Sequence, residues 1–357
     1  MRIGVALAFS FFCSLLGITS GGTGAPTART ETGVQPVAVS LDLAPTPKPT
    51  PGRVPEDGPE PFMDDLPADA VELAAVGDVN LGGRLLDTIA ARGPDHLWTG
   101  VAPVLAAADI ALVNLECTIS ERGAPEPKEF TFRGRPSSLG AMRRAGVDIA
   151  SLGNNHAVDF GRDAFSDTLR HLRDNRIEAV GGGEDIESAW EPVYIERRGI
   201  RFGFVAATRV LPHNFAATDR LPGVASAYDE ARLVASVREA ERASDVTVVV
   251  VHWGTETHTA PNPVQVGLAR TLVDAGADVI VGHHPHRLQP VVRMKGAVVA
   301  YSLGNFVFTS PSAAGRESMI LRIGVMPDHS IVTARVPVRI GVDGRPDVAD
   351  GSGRARA

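Results

Sequence analysis

Thr247-Val248-Val249-Val250-Val251-His252-Trp253-Gly254-Thr255-Glu256 decides how this chain is read. Four consecutive valines do not alternate with polar residues, so the run fits a strand buried on both faces, as in the parallel sheet of an α/β fold. The strand ends abruptly in His, Trp, Gly and Glu. Helical patterns flank it. Asp229–Ala243 places Leu233, Val234, Val237 and Ala240 on one stripe, and Val264–Ala275 does the same with Leu268, Thr271, Leu272 and Ala275. Pro263 suits the first turn of the second helix and Gly276 the position just past its end.

The same alternation extends in both directions. Strands are predicted at Glu72–Val76, Ile110–Asn114, Val147–Ser151, Arg201–Ala206, Val279–Val281 and Val298–Tyr301. Met319–Val325 and Ser330–Arg339 add a β-rich end that implies a second sheet or a mixed edge.

Unusual polar residues follow these strands. Gly77-Asp78-Val79-Asn80 follows the first, Asn114-Leu115-Glu116 the second and Gly153-Asn154-Asn155-His156 the third. Gly282-His283-His284-Pro285-His286 and Tyr301-Ser302-Leu303-Gly304-Asn305 close the last two. Each cluster alone reads as a turn or a solvated loop, the three-histidine group least so. Ligands of open α/β sheets collect outside the carboxyl ends of the strands, so six such ends together describe one convergent site. Carboxylate, amide oxygen and imidazole without thiolate suit Mn²⁺, Fe²⁺, Zn²⁺ or Mg²⁺. The number of candidate ligands exceeds what one ion needs and implies two divalent metal ions.

The 357 residues carry 35 basic against 42 acidic side chains, a net charge of −7. That acidic balance argues against nucleic acid as a partner. Two cysteines exclude a disulfide-rich scaffold and a four-cysteine zinc site, and Cys117 reads as a buried thiol. Lys48, Lys128 and Lys295 are the only lysines, which reads as compositional bias. Gly181-Gly182-Gly183 lacks the Lys-Ser/Thr of a phosphate loop and reads as a tight turn. No Gly-x-Ser-x-Gly elbow is present, against an ordinary serine hydrolase.

Met1-Arg2 precedes an apolar run from Ile3 to Ile18 and a group of small residues, the pattern of an export signal over 1–25, either cleaved or kept as an anchor. Residues 26–66 are proline-rich and read as a disordered linker. A single domain is expected over 67–342, with a disordered tail over 343–357.

The ordered motifs resemble the bacterial poly-γ-glutamate capsule synthesis (CapA) family, a divergent branch of the calcineurin-like metallophosphoesterases. The matching residues include Gly77-Asp78-Val79-Asn80-Leu81-Gly82, Asn114-Leu115-Glu116, Phe132-Arg133 and Asn154-Asn155-His156-Ala157-Val158-Asp159. His252-Trp253-Gly254-Thr255-Glu256, Gly282-His283-His284-Pro285-His286-Arg287 and Ser302-Leu303-Gly304-Asn305-Phe306 complete the series. The resemblance implies a four-layer αββα metallophosphatase-like sandwich of two mixed sheets, placed outside the cytoplasm. It implies Asp78, Glu116, Asn155, His252, His284 and His286 as metal ligands, with His283 an alternative to His284. It implies His156 with Asp78 as the catalytic pair, and Arg133 and Asn305 as contacts for an anionic polymer or its precursor. Asn80 stands where an Asp-x-His pair would place a histidine ligand, and Glu116 where a bridging aspartate is usual. The function implied is capsule biosynthesis by a metal-dependent, phosphoesterase-like hydrolase. The alternatives are a non-catalytic accessory of membrane-bound synthase subunits that binds, exports or anchors the polymer, and a secreted phosphoesterase unrelated to capsule.

Overall fold

The four-valine strand explains the layering. In the computed structural model, which describes residues 57–349 except His213, Val248 and Val250 point into one hydrophobic core. Val249 and Val251 point into another, beside Leu233, Val237, Leu268 and Leu272 of the helices Glu230–Ala243 and Pro263–Asp274. Strand Val71–Val79 repeats the division. Leu73 and Ala75 share the core of Val248 and Val250, while Ala74, Val76 and Val79 pack with Leu139, Phe165 and Leu172 of the helices Ser137–Arg144 and Arg162–Asp174. Helices, sheet, sheet, helices: alternating side chains build the four layers that the resemblance implies.

In the first sheet, Val71–Val79, Ile110–Leu115, Ile149–Ser151 and Glu178–Val180 run parallel. Glu317–Val325 pairs antiparallel with the first half of Val71–Val79, and Asn305–Val307 pairs parallel with its end. In the second sheet, Ile200–Thr208, Val246–His252, Val279–His283 and Ala297–Ala300 run parallel, with antiparallel edges. The C-terminal strands therefore form a mixed edge of the first sheet, and the middle of the chain builds the second. Asn262 and Gln265 form a reciprocal cap at the start of Pro263–Asp274, with Pro263 in its first turn as expected.

Two sequence-based boundaries need correction. The linker assigned to 26–66 ends earlier: Asp57–Pro59 pairs with Val291–Met294 of the second sheet, and Met63 bridges to Ala334 of the first. Glu60, buried, forms an ion pair with Arg293 at 2.6 Å and accepts from Thr333 Oγ1 at 2.6 Å. This segment thus laces the two sheets together through pairings that no local pattern encodes. The tail assigned to 343–357 also begins later, because Pro346–Val348 pairs with the last residues of Ile331–Ile340. The export signal and residues 26–56 lie outside the described residues. Among the described residues no helix is long and apolar enough to cross a membrane.

Removing one partner of a buried ion pair leaves the other uncompensated, at a cost of about 3–5 kcal/mol. Glu60→Ala is expected to lower unfolding stability by that amount in a urea titration. A change below about 1 kcal/mol, typical of a surface substitution, would show that the lacing segment contributes little.

Candidate metal centre

The parallel strands of both sheets deliver their carboxyl ends to one place. Glycines permit the approach. A Cβ at Gly77 would collide with the Gly304 carbonyl oxygen, and one at Gly282 with that of Tyr301. Asp78 N donates to Gly304 O at 2.9 Å, so the first motif is registered against the last.

Asp78 is fully buried at the centre. Its Oδ1 accepts from Asn114 Nδ2 at 2.8 Å and lies 3.0 Å from His283 Nδ1; its Oδ2 lies 3.2 Å from His286 Nδ1. Asn154 Nδ2 in turn donates to Asn114 Oδ1 at 3.0 Å. Burial alone would raise the Asp78 carboxyl, but the hydrogen bonds from His283 and His286 outweigh it and hold it well below the usual range.

Glu116, also fully buried, lies 3.3 Å from His252 Nε2 and 4.0 Å from His286 Nε2. Burial, reinforced by the Asp78 charge, pushes its carboxyl well above the ordinary value. Burial and the neighbouring His284 push His252 well down, and burial with His286 brings His284 to about 4. His286 goes the other way, to about 9: burial opposes its charge, but Glu116 and the hydrogen bond to Asp78 prevail.

Several buried polar atoms here lack any hydrogen-bond partner: both Glu116 oxygens, Asn155 Oδ1, His252 Nε2, His283 Nε2 and His284 Nδ1. Leaving such atoms unsatisfied is costly, and they converge with the chemistry of an oxygen–nitrogen metal site. Glu116, His252 and His284 bring ligand atoms within 4.8 Å of one another, as do Asp78, Glu116 and His286. The residues present fit divalent metal.

Six sequence-predicted ligands are accounted for as follows. Asp78, Glu116, His252, His284 and His286 fall into these sets, and Asn155, on the turn after Ile149–Ser151, carries a buried Oδ1 without a hydrogen-bond partner. His283 enters neither set; with Nδ1 on Asp78 it braces that carboxylate from the second sheet. Asn80 closes a turn by accepting from Gly82 N at 2.8 Å, at the position where the resemblance would place a histidine.

His156 is buried beside the cluster under the ring of Phe132, centroids 4.4 Å apart. Its Nδ1 lies 2.7 Å from Asp159 Oδ2, so Nδ1–H donates there and Nε2 is left for proton transfer. Burial lowers its pKa, partly countered by Asp159.

The two expected substrate contacts have partners within the protein. Arg133 stacks its guanidinium on the Phe160 ring at 4.3 Å and donates toward the carbonyls of Arg122 and Gly123. Asn305 spends its amide within the protein. Oδ1 lies 2.8 Å from His286 Nδ1, and Nδ2 donates to Gly315 O at 2.9 Å. It orients an imidazole. Asp159 and Lys128, whose Nζ lies 2.6 Å from Asp159 Oδ1, received no role from the sequence. The i, i+3 spacing from His156 was a usable signal for Asp159; nothing local marks Lys128. Cys117 is buried as expected, and burial pushes its thiol up to about 12.

Residues 72–310 match the family model described as bacterial capsule synthesis protein PGA_cap. The chain belongs to this family. Among PGA_cap relatives, it is similar to the PGA biosynthesis protein CapA of Bacillus subtilis, 32% identical over 257 residues that cover 71% of this chain and 67% of that one. The capsule biosynthesis protein CapA of Bacillus anthracis is 29% identical, with 75% of this chain and 67% of that one covered. A Mycobacterium tuberculosis protein named as a probable polyglutamine synthesis accessory protein is 32% identical over 59% of each chain. Solved structures with a similar course include a Thermus thermophilus sulfate thiohydrolase, at TM-score 0.43 and 16% identity over 76% of this chain and 58% of that one.

Metal ligation requires His286 and Glu116 to give up the protons that their raised pKa values retain. For His286 the folded value, about 9, lies above the ordinary one, so a metal competes with a proton below that pH. Mn²⁺ binding near neutral pH is therefore expected to release protons, and its apparent affinity to rise with pH toward about 9. Calorimetry in buffers of different ionisation enthalpy measures both; binding without proton release would contradict this charge assignment.

Proposed function

We propose that this PGA_cap protein is an extracytoplasmic, metal-dependent hydrolase that acts on an anionic capsule polymer, poly-γ-glutamate, or on its precursor. The observation that carries the reading is the clustering of Glu116, His252 and His284, each with a buried polar atom that has no hydrogen-bond partner. Divalent ions bound by Asp78, Glu116, His252, His284 and His286 would supply Lewis acidity and lower the pKa of water.

The chain's own residues supply the rest. Asp159 fixes the His156 ring through Nδ1, and its second oxygen accepts from Lys128 at 2.6 Å. His156 Nε2 is then placed to take a proton from the attacking nucleophile and, as the imidazolium that Asp159 stabilises, to pass it to the leaving group. Phe132 covers one face of the ring and shields it from water. Asn114 and His283 hold Asp78, and Asn305 holds His286, so the ligand set keeps its shape before any ion arrives.

One observation favours a second reading, a non-catalytic accessory of the synthase that binds or anchors polymer: Asn80 closes a turn where the resemblance would place a ligand. The two readings separate on the same protein. Purified wild type is expected to retain divalent metal and to cleave a chromogenic phosphodiester or a γ-glutamyl chain. His284→Ala is expected to lower metal content, and His156→Ala to keep the metal while lowering turnover by about 10²–10⁴-fold. Metal content unaffected by His284→Ala sinks the metal reading. Full rescue of a deletion strain by an Asp78→Ala/His252→Ala variant favours the accessory.

A further inference from the structure

Glu256 lies four residues beyond His252 on the loop that leaves the four-valine strand. The loop is docked on the histidine turn at two points. Trp253 N donates to His283 O at 3.0 Å, and Thr257 N donates to Pro285 O at 2.8 Å. These bonds straddle Glu256 and present it to the neighbouring turn. A carboxylate oxygen of Glu256 and ring nitrogens of His284 and His286 lie within 4.8 Å of one another. The Glu256 carboxylate is exposed, whereas His284 is 5% exposed with Nδ1 partnerless.

The backbone at the turn is held in an uncommon form for this purpose. His284 and His286 have φ of 94° and 53°, and Thr257 opposite them has φ of 65°, all in the left-handed region that non-glycine residues rarely occupy. Strain of that kind persists where surrounding structure fixes it, often at ligand clamps. Carboxylate and imidazole ligands sit about 2.0–2.2 Å from a zinc-sized ion, so two of them can be about 4.4 Å apart at most. Only a small side-chain movement closes the set, and exposed Glu256 is free to make it.

From this we infer that Glu256 is a metal ligand, the carboxylate that closes the centre on its solvent side through His284 and His286. The inference rests on the metal reading of the site. Glu256 supplies a charged donor to a cluster in which Asn80 carries no charge and spends its Oδ1 on Gly82 N. With Asp78 and Glu116 it makes three carboxylates available to offset the charge of two divalent ions.

The test is equilibrium Mn²⁺ binding to the full-length protein, by calorimetry and metal analysis. Wild type is compared with Glu256→Gln, Glu256→Asp and the remote surface control Glu239→Gln. Glu256→Gln is expected to weaken one Mn²⁺ equivalent at least about tenfold. Glu256→Asp should recover part of the loss, and Glu239→Gln should match wild type. Unfolding midpoints in excess chelator should be equal for all four proteins, because an exposed substitution leaves the metal-free fold intact. Wild-type stoichiometry and affinity in Glu256→Gln overturn the ligand assignment while leaving the metal centre standing. A wild-type protein that takes up no Mn²⁺ overturns both.

Discussion

A carboxylate buried without compensation would cost several kcal/mol, and Asp78 has no access to solvent. The architecture around the site follows from that constraint. Asn114 comes from the adjacent strand of the first sheet, His283 from the end of a strand in the second, and His286 from the turn beyond it. Each donates to Asp78, so one side chain ties the two sheets together at their carboxyl ends. Gly77 and Gly282 keep the backbones close enough for these bonds, and Asn154 extends the network to a third strand. A single satisfied carboxylate therefore fixes the relative position of four of the elements that carry ligands.

The central strands were legible because they are buried on both faces: Val248 to Val251 had to be apolar throughout, whichever core each valine entered. The convergence of the polar clusters was legible for a related reason. Each cluster alone reads as a turn, but parallel strands send all their carboxyl ends to one side. Elements held by distant pairing were not legible. Asp57–Pro59 and Pro346–Val348 are short, contain proline and owe their conformation to neighbours far along the chain. Roles that depend on side-chain direction were also hidden. The sequence around Arg133 and Asn305 does not say that one guanidinium stacks on Phe160 or that one amide holds His286. Lys128 looked like composition because its importance lies in Asp159, which is contributed by another loop.

The metal-free charge state shows how such a polar centre folds at all. Asp78 is held ionised and His286 protonated, so they neutralise each other within the cluster. Glu116 is pushed toward its neutral form, and His252 and His284 are kept neutral by burial and by their neighbours. The buried set thus carries little net charge without an ion, which limits the desolvation penalty of folding.

The same arrangement divides the residues by task. Asp78 and His286 also serve as mutual supports, braced by Asn114, His283 and Asn305, whereas Glu116, Asn155, His252, His283 and His284 carry buried polar atoms without hydrogen-bond partners. Bracing comes largely from the ends of paired strands, where small displacements are resisted by both sheets. Loops add to that frame: Lys128 donates to Asn155 O at 2.7 Å and to Asp159 Oδ1 at 2.6 Å, and exposed Glu256 stands beside His284 and His286. Side chains locked by hydrogen bonds from several elements suit a centre that must hold its polar atoms at fixed separations.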